Sequence, residues 1–276
     1  MFKERLISGI VVAVVTIGLT LAGGVYLLAL LLVSSLIGMF EFYRATGVLT
    51  DGKKIDPATG IAYGFMVAYY VLAHVTHQSI FFMVFSIVVF FLVLLASYVF
   101  TFPKYDVKDI MFTFAGFFYV GVMISFLYLT RCSKDGIYTV WLILAASWLC
   151  DVFAYFTGML LGKHRLCPNL SPKKSIEGAV GGVIFPAIVA GIYGYIISRY
   201  YSPGYNVVFV FALITALGAV ASQLGDLSAS AIKRNRNIKD YGNLIPGHGG
   251  ILDRFDSLIV VAPIVYFIAV CFAKGF

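Results

Sequence analysis

Residues 80–100 read IFFMVFSIVVFFLVLLASYVF, apolar and small side chains with no charge among them. A helix needs about 20 mostly apolar residues to cross the hydrocarbon of a bilayer, and this run supplies them. Eight more such runs lie outward from it. They fall near 6–22, 24–42 and 61–76 on one side, and near 110–129, 137–161, 179–198, 206–231 and 252–272 on the other. Hydrophobic residues make up 61% of the 276-residue chain, charged residues only 12%, and the mean hydropathy is +0.95. Nothing is left over for a separate soluble domain. The chain reads as an all-α polytopic membrane protein of about nine transmembrane helices, a single membrane domain over 1–276. The opening Met1-Phe-Lys-Glu-Arg and its apolar run read as a retained first helix rather than a secretory signal.

Lysine and arginine fall unevenly between these runs. Positions 3, 5, 44, 53, 54, 104, 108, 163, 165, 173, 174, 233, 234, 236, 239 and 254 share one face, against Arg131, Lys134, Arg199 and Lys274 on the other. By the positive-inside rule the crowded face is cytoplasmic, with the N-terminus inside and the C-terminus outside. This asymmetry accounts for much of the net charge of +7. The remainder suits anionic headgroups and polyphosphates rather than nucleic acid, since no basic helix projects from the membrane. The four cysteines, Cys132, Cys150, Cys167 and Cys271, form no C-x-x-C pair and read as small hydrophobes.

Polar chemistry is concentrated after residue 136, so 1–136 reads as scaffold and 137–276 as the working part. Span six carries Ser147, Asp151, Tyr155 and Gly158 at steps that share one helical face. An aspartate there costs about 2.5–3.5 kcal/mol on insertion scales, so it is expected in a bundle interior or a wet cavity. Gly158 and Gly162, then Gly178 and Gly182, are G-x-x-x-G pairs suited to close helix packing. Span eight carries a second stripe, Ser222, Asp226, Ser230 and Lys233, and Asp253 and Asp256 open span nine. Between them stand Arg234, Arg236, Lys239, Asp240, His248 and the glycines Gly247, Gly249 and Gly250. Cations can hold phosphates, carboxylates a divalent metal, and the glycines allow close backbone approach. A salt-bridge network, with Asp226 paired to Lys233 or Arg254, is the alternative. After span six, Ser171-Pro172 reads as a helix N-cap and first turn, setting Lys173, Lys174 and Ser175 near an anion-favouring helix end.

At these residues the chain resembles the phosphatidate cytidylyltransferases, or CDP-diacylglycerol synthases. Residues 230–256, from Ser230-Ala-Ile-Lys-Arg to Asp253-Arg-Phe-Asp256, fill every specified position of that family's C-terminal signature. Gly225-Asp226-Leu227, Ser171-Pro-Lys-Lys-Ser-Ile-Glu-Gly and the Asp151 helix extend the match over about 145–260. The resemblance implies that CTP and phosphatidic acid give CDP-diacylglycerol and pyrophosphate, with Mg²⁺ required and a second cation such as K⁺ beside it. It implies Asp226 and Asp253 as metal ligands, with Asp256 and Asp151 as a further ligand or support. Lys233, Arg234, Lys239, Lys174 and Arg254 are assigned to phosphates, joined by Lys173, Ser175, Ser230, Gly249 and Gly250. His248 is a phosphate donor or loop organiser, and Glu177 a supporting group. Lys174 is expected to recruit a substrate phosphate rather than act at the carboxylates. Expected partners are the two substrates and membrane lipids, with a homodimer as a further possibility and a bacterial inner membrane as the setting. A transferase for another lipid phosphate and a cation-coupled transporter are the rival readings.

Overall fold

The computed structural model describes residues 2–49, 56–168, 170–201 and 203–274, with side chains from Leu6 to Ala273. Lys53, Lys54 and Asn169 lie outside the described residues, and the side chains of Lys3, Arg5 and Lys274 outside the described side chains. Nine helical rods run through the described residues: α1 (Phe2–Ala22), α2 (Gly24–Thr46), α3 (Pro57–Val75), α4 (Ile80–Thr101), α5 (Val107–Cys132), α6 (Gly136–Leu161), α7 (Ile176–Ile197), α8 (Val207–Asn235) and α9 (Leu252–Lys274). Eight of them, α2 to α9, are long and apolar enough to cross a membrane. The apolar run of α1, Leu6–Ala22, is shorter than the others, so the nine expected spans become eight plus a short one. Charged Lys3, Glu4 and Arg5 precede that run.

Two compact units divide the chain. The first comprises residues 1–128 and 236–254. Within it α2 packs against α3 and the middle of α5, where Gly116–Val122 winds as a π-helix. A π-turn frees carbonyls, which in a membrane must find donors inside the protein. Buried tyrosines add donors in this segment and in the turn before it. Tyr70 donates its hydroxyl to the Gly121 carbonyl at 3.3 Å, and Tyr43 donates to the Thr113 carbonyl at 2.8 Å. Tyr69 shares a 2.9 Å hydrogen bond with Ser125. These aromatics therefore bind the bundle internally, beyond the interface anchoring and packing that composition suggests.

The second unit comprises 129–235 and 255–276. Here α7 lies between α6 and α8, contacting both closely. A Cβ on Gly178 would stand 2.7 Å from the Ala154 carbonyl, and one on Gly182 3.0 Å from the Cys150 carbonyl. Only glycine permits that approach of α6 and α7, as the G-x-x-x-G spacing anticipates. α6 also contains a π-segment, Ala145–Leu149. It rephases the helix just before Asp151. Asp151, Tyr155 and Gly158 keep their common face, while Ser147 turns away into the core at 2% exposure.

The segment after α6 departs from expectation. Arg165–Cys167 (β1) and Ser171–Ser175 (β2) form an antiparallel hairpin, so Lys173 and Lys174 lie on a strand. The N-cap of α7 is Ser175, not Ser171: its hydroxyl accepts the Gly178 N–H at 3.1 Å. Pro172 can open a helix, but here its fixed φ serves an extended strand equally well.

Candidate active site

In the second unit, Lys174 reaches from the hairpin to α8, where its Nζ contacts Asp226 Oδ2. Lys174 thus stands at a carboxylate, contrary to the expectation that it recruits substrate away from them. Lys174 is an ion-pair partner that the salt-bridge alternative did not name for Asp226. The neighbour of Asp226 on α9 is Asp256, 8% exposed, whose Oδ1 accepts the Ser257 N–H at 2.8 Å. The charged groups acting on Asp256 are Asp226, Lys233 and Asp151. The helices carrying Asp226 and Asp256 approach closely because residue 225 is glycine; a Cβ there would meet the Asp256 carbonyl at 3.0 Å.

Beside this group lies a cavity of about 300 Å³. One wall is apolar, with Ala154, Tyr155, Met159 and Leu166, and another carries Asp151, Lys173 and Lys174. The hairpin that brings the lysines is fastened at its base by Glu177. That carboxylate accepts the Lys163 N–H at 3.1 Å, the His164 N–H at 3.3 Å and lies 2.6 Å from His164 Nδ1. Three carboxylates with a partly buried lysine make a hard-oxygen environment suited to a divalent cation. Among the described residues, no three His, Cys, Asp or Glu side chains form a complete cage. Mg²⁺ is held by one or two carboxylates together with waters and substrate phosphates, so Asp226 and Asp256, supported by Asp151, fit it.

In the first unit the signature loop folds as a tight turn. Ile245 N–H donates to the Gly249 carbonyl at 2.9 Å, and His248 N–H returns to the Ile245 carbonyl. Gly247 and Gly249 take φ of 74° and 84°, the left-handed region that glycine tolerates. Asp253 Oδ2 accepts the Tyr241 N–H at 2.7 Å and the Gly250 N–H at 3.0 Å, bracing the turn. His248 Nδ1 lies 2.7 Å from the Ser8 hydroxyl, which donates its hydrogen to the Pro246 carbonyl. The Ser8 oxygen then accepts from Nδ1–H, an arrangement that organises the loop. Arg234, Lys239, Asp240 and Arg254 are exposed, and Ser230 and Lys233 half-buried. Arg236 stacks over the Phe112 ring at 5.1 Å.

Three contributors escaped the sequence reading. Glu41 and Arg44 of α2 bind the 241–252 segment, and Ser8 of α1 binds His248. Glu41 had a visible signal, a carboxylate within an apolar run, the same one that marks Asp151. Ser8 had none, because serine is common in membrane helices.

An aspartate and two lysines lining a cavity beside a second carboxylate pair, within an apolar bundle, suit a membrane enzyme that works on phosphates. Comparison with known proteins makes the class specific: the profile of the cytidylyltransferase family matches residues 3–272, and the chain belongs to that family. The phosphatidate cytidylyltransferase of Bacillus subtilis is 30% identical over 279 residues, 98% of each chain. That of Staphylococcus haemolyticus is 36% identical over 181 residues, 65% of this chain and 66% of the relative. That of Rickettsia bellii is 39% identical over 163 residues, 58% of this chain and 70% of the relative.

Proposed function

We propose that this chain is an integral-membrane nucleotidyltransferase of lipid biosynthesis, joining CTP and phosphatidic acid to give CDP-diacylglycerol and pyrophosphate. The observation that carries the reading is Lys174 on Asp226, with buried Asp256 on the neighbouring helix that Gly225 lets approach. The family membership and the relative aligned over 98% of both chains support the same reaction.

An oxygen of the lipid phosphate attacks the α-phosphorus of CTP, and the bond from that phosphorus to the β-phosphate oxygen breaks. The lipid phosphate is already ionised, so no side chain has to remove a proton. Lys174, Lys173, Lys233, Arg234, Lys239 and Arg254 are the proposed phosphate-binding cations, which lower the repulsion between two anionic substrates. Asp226, Asp256 and Asp151 are the proposed Mg²⁺ holders, while Asp253, which the family resemblance offers as a ligand, braces the glycine-rich turn; when bound, the ion would offset charge on the reacting phosphates and the leaving pyrophosphate. Ser175 and Ser230 in the second unit, and Gly249 and Gly250 in the first, are further proposed phosphate contacts, and His248 holds the glycine-rich turn. The cation-rich face is cytoplasmic, where CTP is found, and bacterial relatives favour an inner membrane.

The purified protein tests this directly. With CTP and Mg²⁺, pyrophosphate should appear only when phosphatidate is added. Release without lipid, or with a polyprenyl phosphate alone, would sink the assignment. Asp226→Asn and Asp256→Asn should each lower kcat at least about 100-fold while the protein still folds.

A further inference from the structure

Glu41 lies in α2, far in sequence from the signature, and is 4% exposed. Its carboxyl accepts the Ile251 N–H at 3.1 Å and the Leu252 N–H at 2.8 Å. These are donors at the start of α9 that have no partner inside that helix. Arg44, one turn further along α2, donates to the Tyr241 carbonyl at 3.3 Å. Glu41 and Asp253 together take four backbone N–H groups, those of Tyr241, Gly250, Ile251 and Leu252.

Two glycines of this segment have no room for a side chain because of Glu41. A Cβ on Gly242 or on Gly250 would fall 2.3 Å from Glu41 Oε1, and for Gly250 the three nearest atoms all belong to Glu41. Gly250 does not take a positive φ, so only the neighbouring carboxyl excludes alanine there. A carboxyl that needed only to cap a helix end would not require a glycine on both strands entering and leaving the turn. An acid within a membrane helix also disfavours insertion and is retained where it serves a site.

We propose that Glu41 is a positioning residue for the transfer reaction proposed above: it fixes the start of α9, and with it Asp253 and the glycine-rich turn. It touches neither substrate. A displacement on the order of 1 Å at reacting groups can lower a rate about 100-fold, whereas cations elsewhere still bind the substrates. The signature glycine at 250 is then explained by a residue outside the signature.

Steady-state kinetics, melting temperature and equilibrium CTP binding on the full-length protein in detergent test the role. Glu41→Gln keeps the side chain's size but turns an NH₂ towards one of the two N–H donors. It should lower kcat about 10- to 100-fold while changing CTP affinity less than about threefold. Gly250→Ala should lower kcat by about tenfold or more alone, yet cost nothing further in a Glu41→Ala background, where the methyl has room. An active wild type with Glu41→Gln within threefold of it, or a Gly250→Ala loss of equal size in both backgrounds, overturns the proposal. So does a Glu41→Gln protein that melts below the assay temperature, since the residue then serves the fold; the single Gly250→Ala variant, which leaves Glu41 in place, reads the contact independently. A wild type inert towards phosphatidate removes the functional reading and this proposal with it.

Discussion

Lys174 and Asp226 come from different elements, a strand and a transmembrane helix, and meet in direct contact. Their side chains are 30% and 29% exposed, so water screens the pair in part and its value for stability is small. In the proposed mechanism its value for chemistry is larger, because a fixed cation beside the proposed metal-binding carboxylate would also stand where phosphate charge develops. Lys174→Met should therefore lower kcat by about 100-fold rather than only raise KM, in line with loss of one preorganised donor. Groups acting as one unit are not additive, so Asp226→Asn with Lys174→Met should be little worse than Asp226→Asn alone. Additive losses would show that the two act separately. The residue types at this site were legible in the sequence, since carboxylates and lysines between apolar runs have few structural uses. Their pairing was not. Lys174 precedes Asp226 by 52 positions, and only the hairpin, which no local pattern announced, decides which carboxylate it reaches.

At the scale of elements, the hairpin β1–β2 and the α6–α7 seam do the positioning. The spans were legible because apolar length is a strong signal, and the glycine seam because G-x-x-x-G has a packing reason. The π-segments were not, since periodicity arguments assume an unbroken α-helix; that is why Ser147 falls off the Asp151 face. The hairpin was lost to Pro172, whose backbone angle suits a first helical turn and a strand alike. Two outcomes follow from this geometry. Glu177→Ala removes the acceptor of the Lys163 and His164 N–H groups, so amide exchange across 163–175 should quicken and activity should fall. Unchanged exchange in that segment would show that Glu177 does not fasten it. Gly178→Ala forces a methyl against the Ala154 carbonyl, a backbone atom that cannot swing aside. Overpacking of this kind costs about 1–3 kcal/mol, so the melting temperature in detergent should drop measurably, and an unchanged value would mean that the seam opens freely.

For the whole molecule, the chain interleaves its two compact units: residues 236–254, which lie late in the sequence, belong with 1–128, and the rest of α9 belongs with 129–235. The proposed division into an early scaffold and a late working part runs along the sequence, whereas these units follow packing, and Glu41 of the early part binds the late 251–252 segment. Membrane sidedness links the parts functionally, because CTP, an ionised nucleotide, meets the protein only from the aqueous phase that contains it. If all nine apolar runs cross, sixteen of the twenty Lys and Arg residues fall on one side of them. Moving that many cations across a bilayer against the charge bias is strongly disfavoured, so the two loops bearing residues 170 and 243 should open to the cytoplasm and the one bearing 203 to the opposite side. Single cysteines at these positions, in a protein whose Cys132, Cys150, Cys167 and Cys271 have been replaced, report this with a membrane-impermeant maleimide on intact and inverted vesicles. Positions 170 and 243 should label only in inverted vesicles and 203 only in intact ones. If 170 and 243 labelled from opposite sides, Lys174 and the glycine-rich turn could not serve one reaction, and the proposed mechanism would lose one of its two halves.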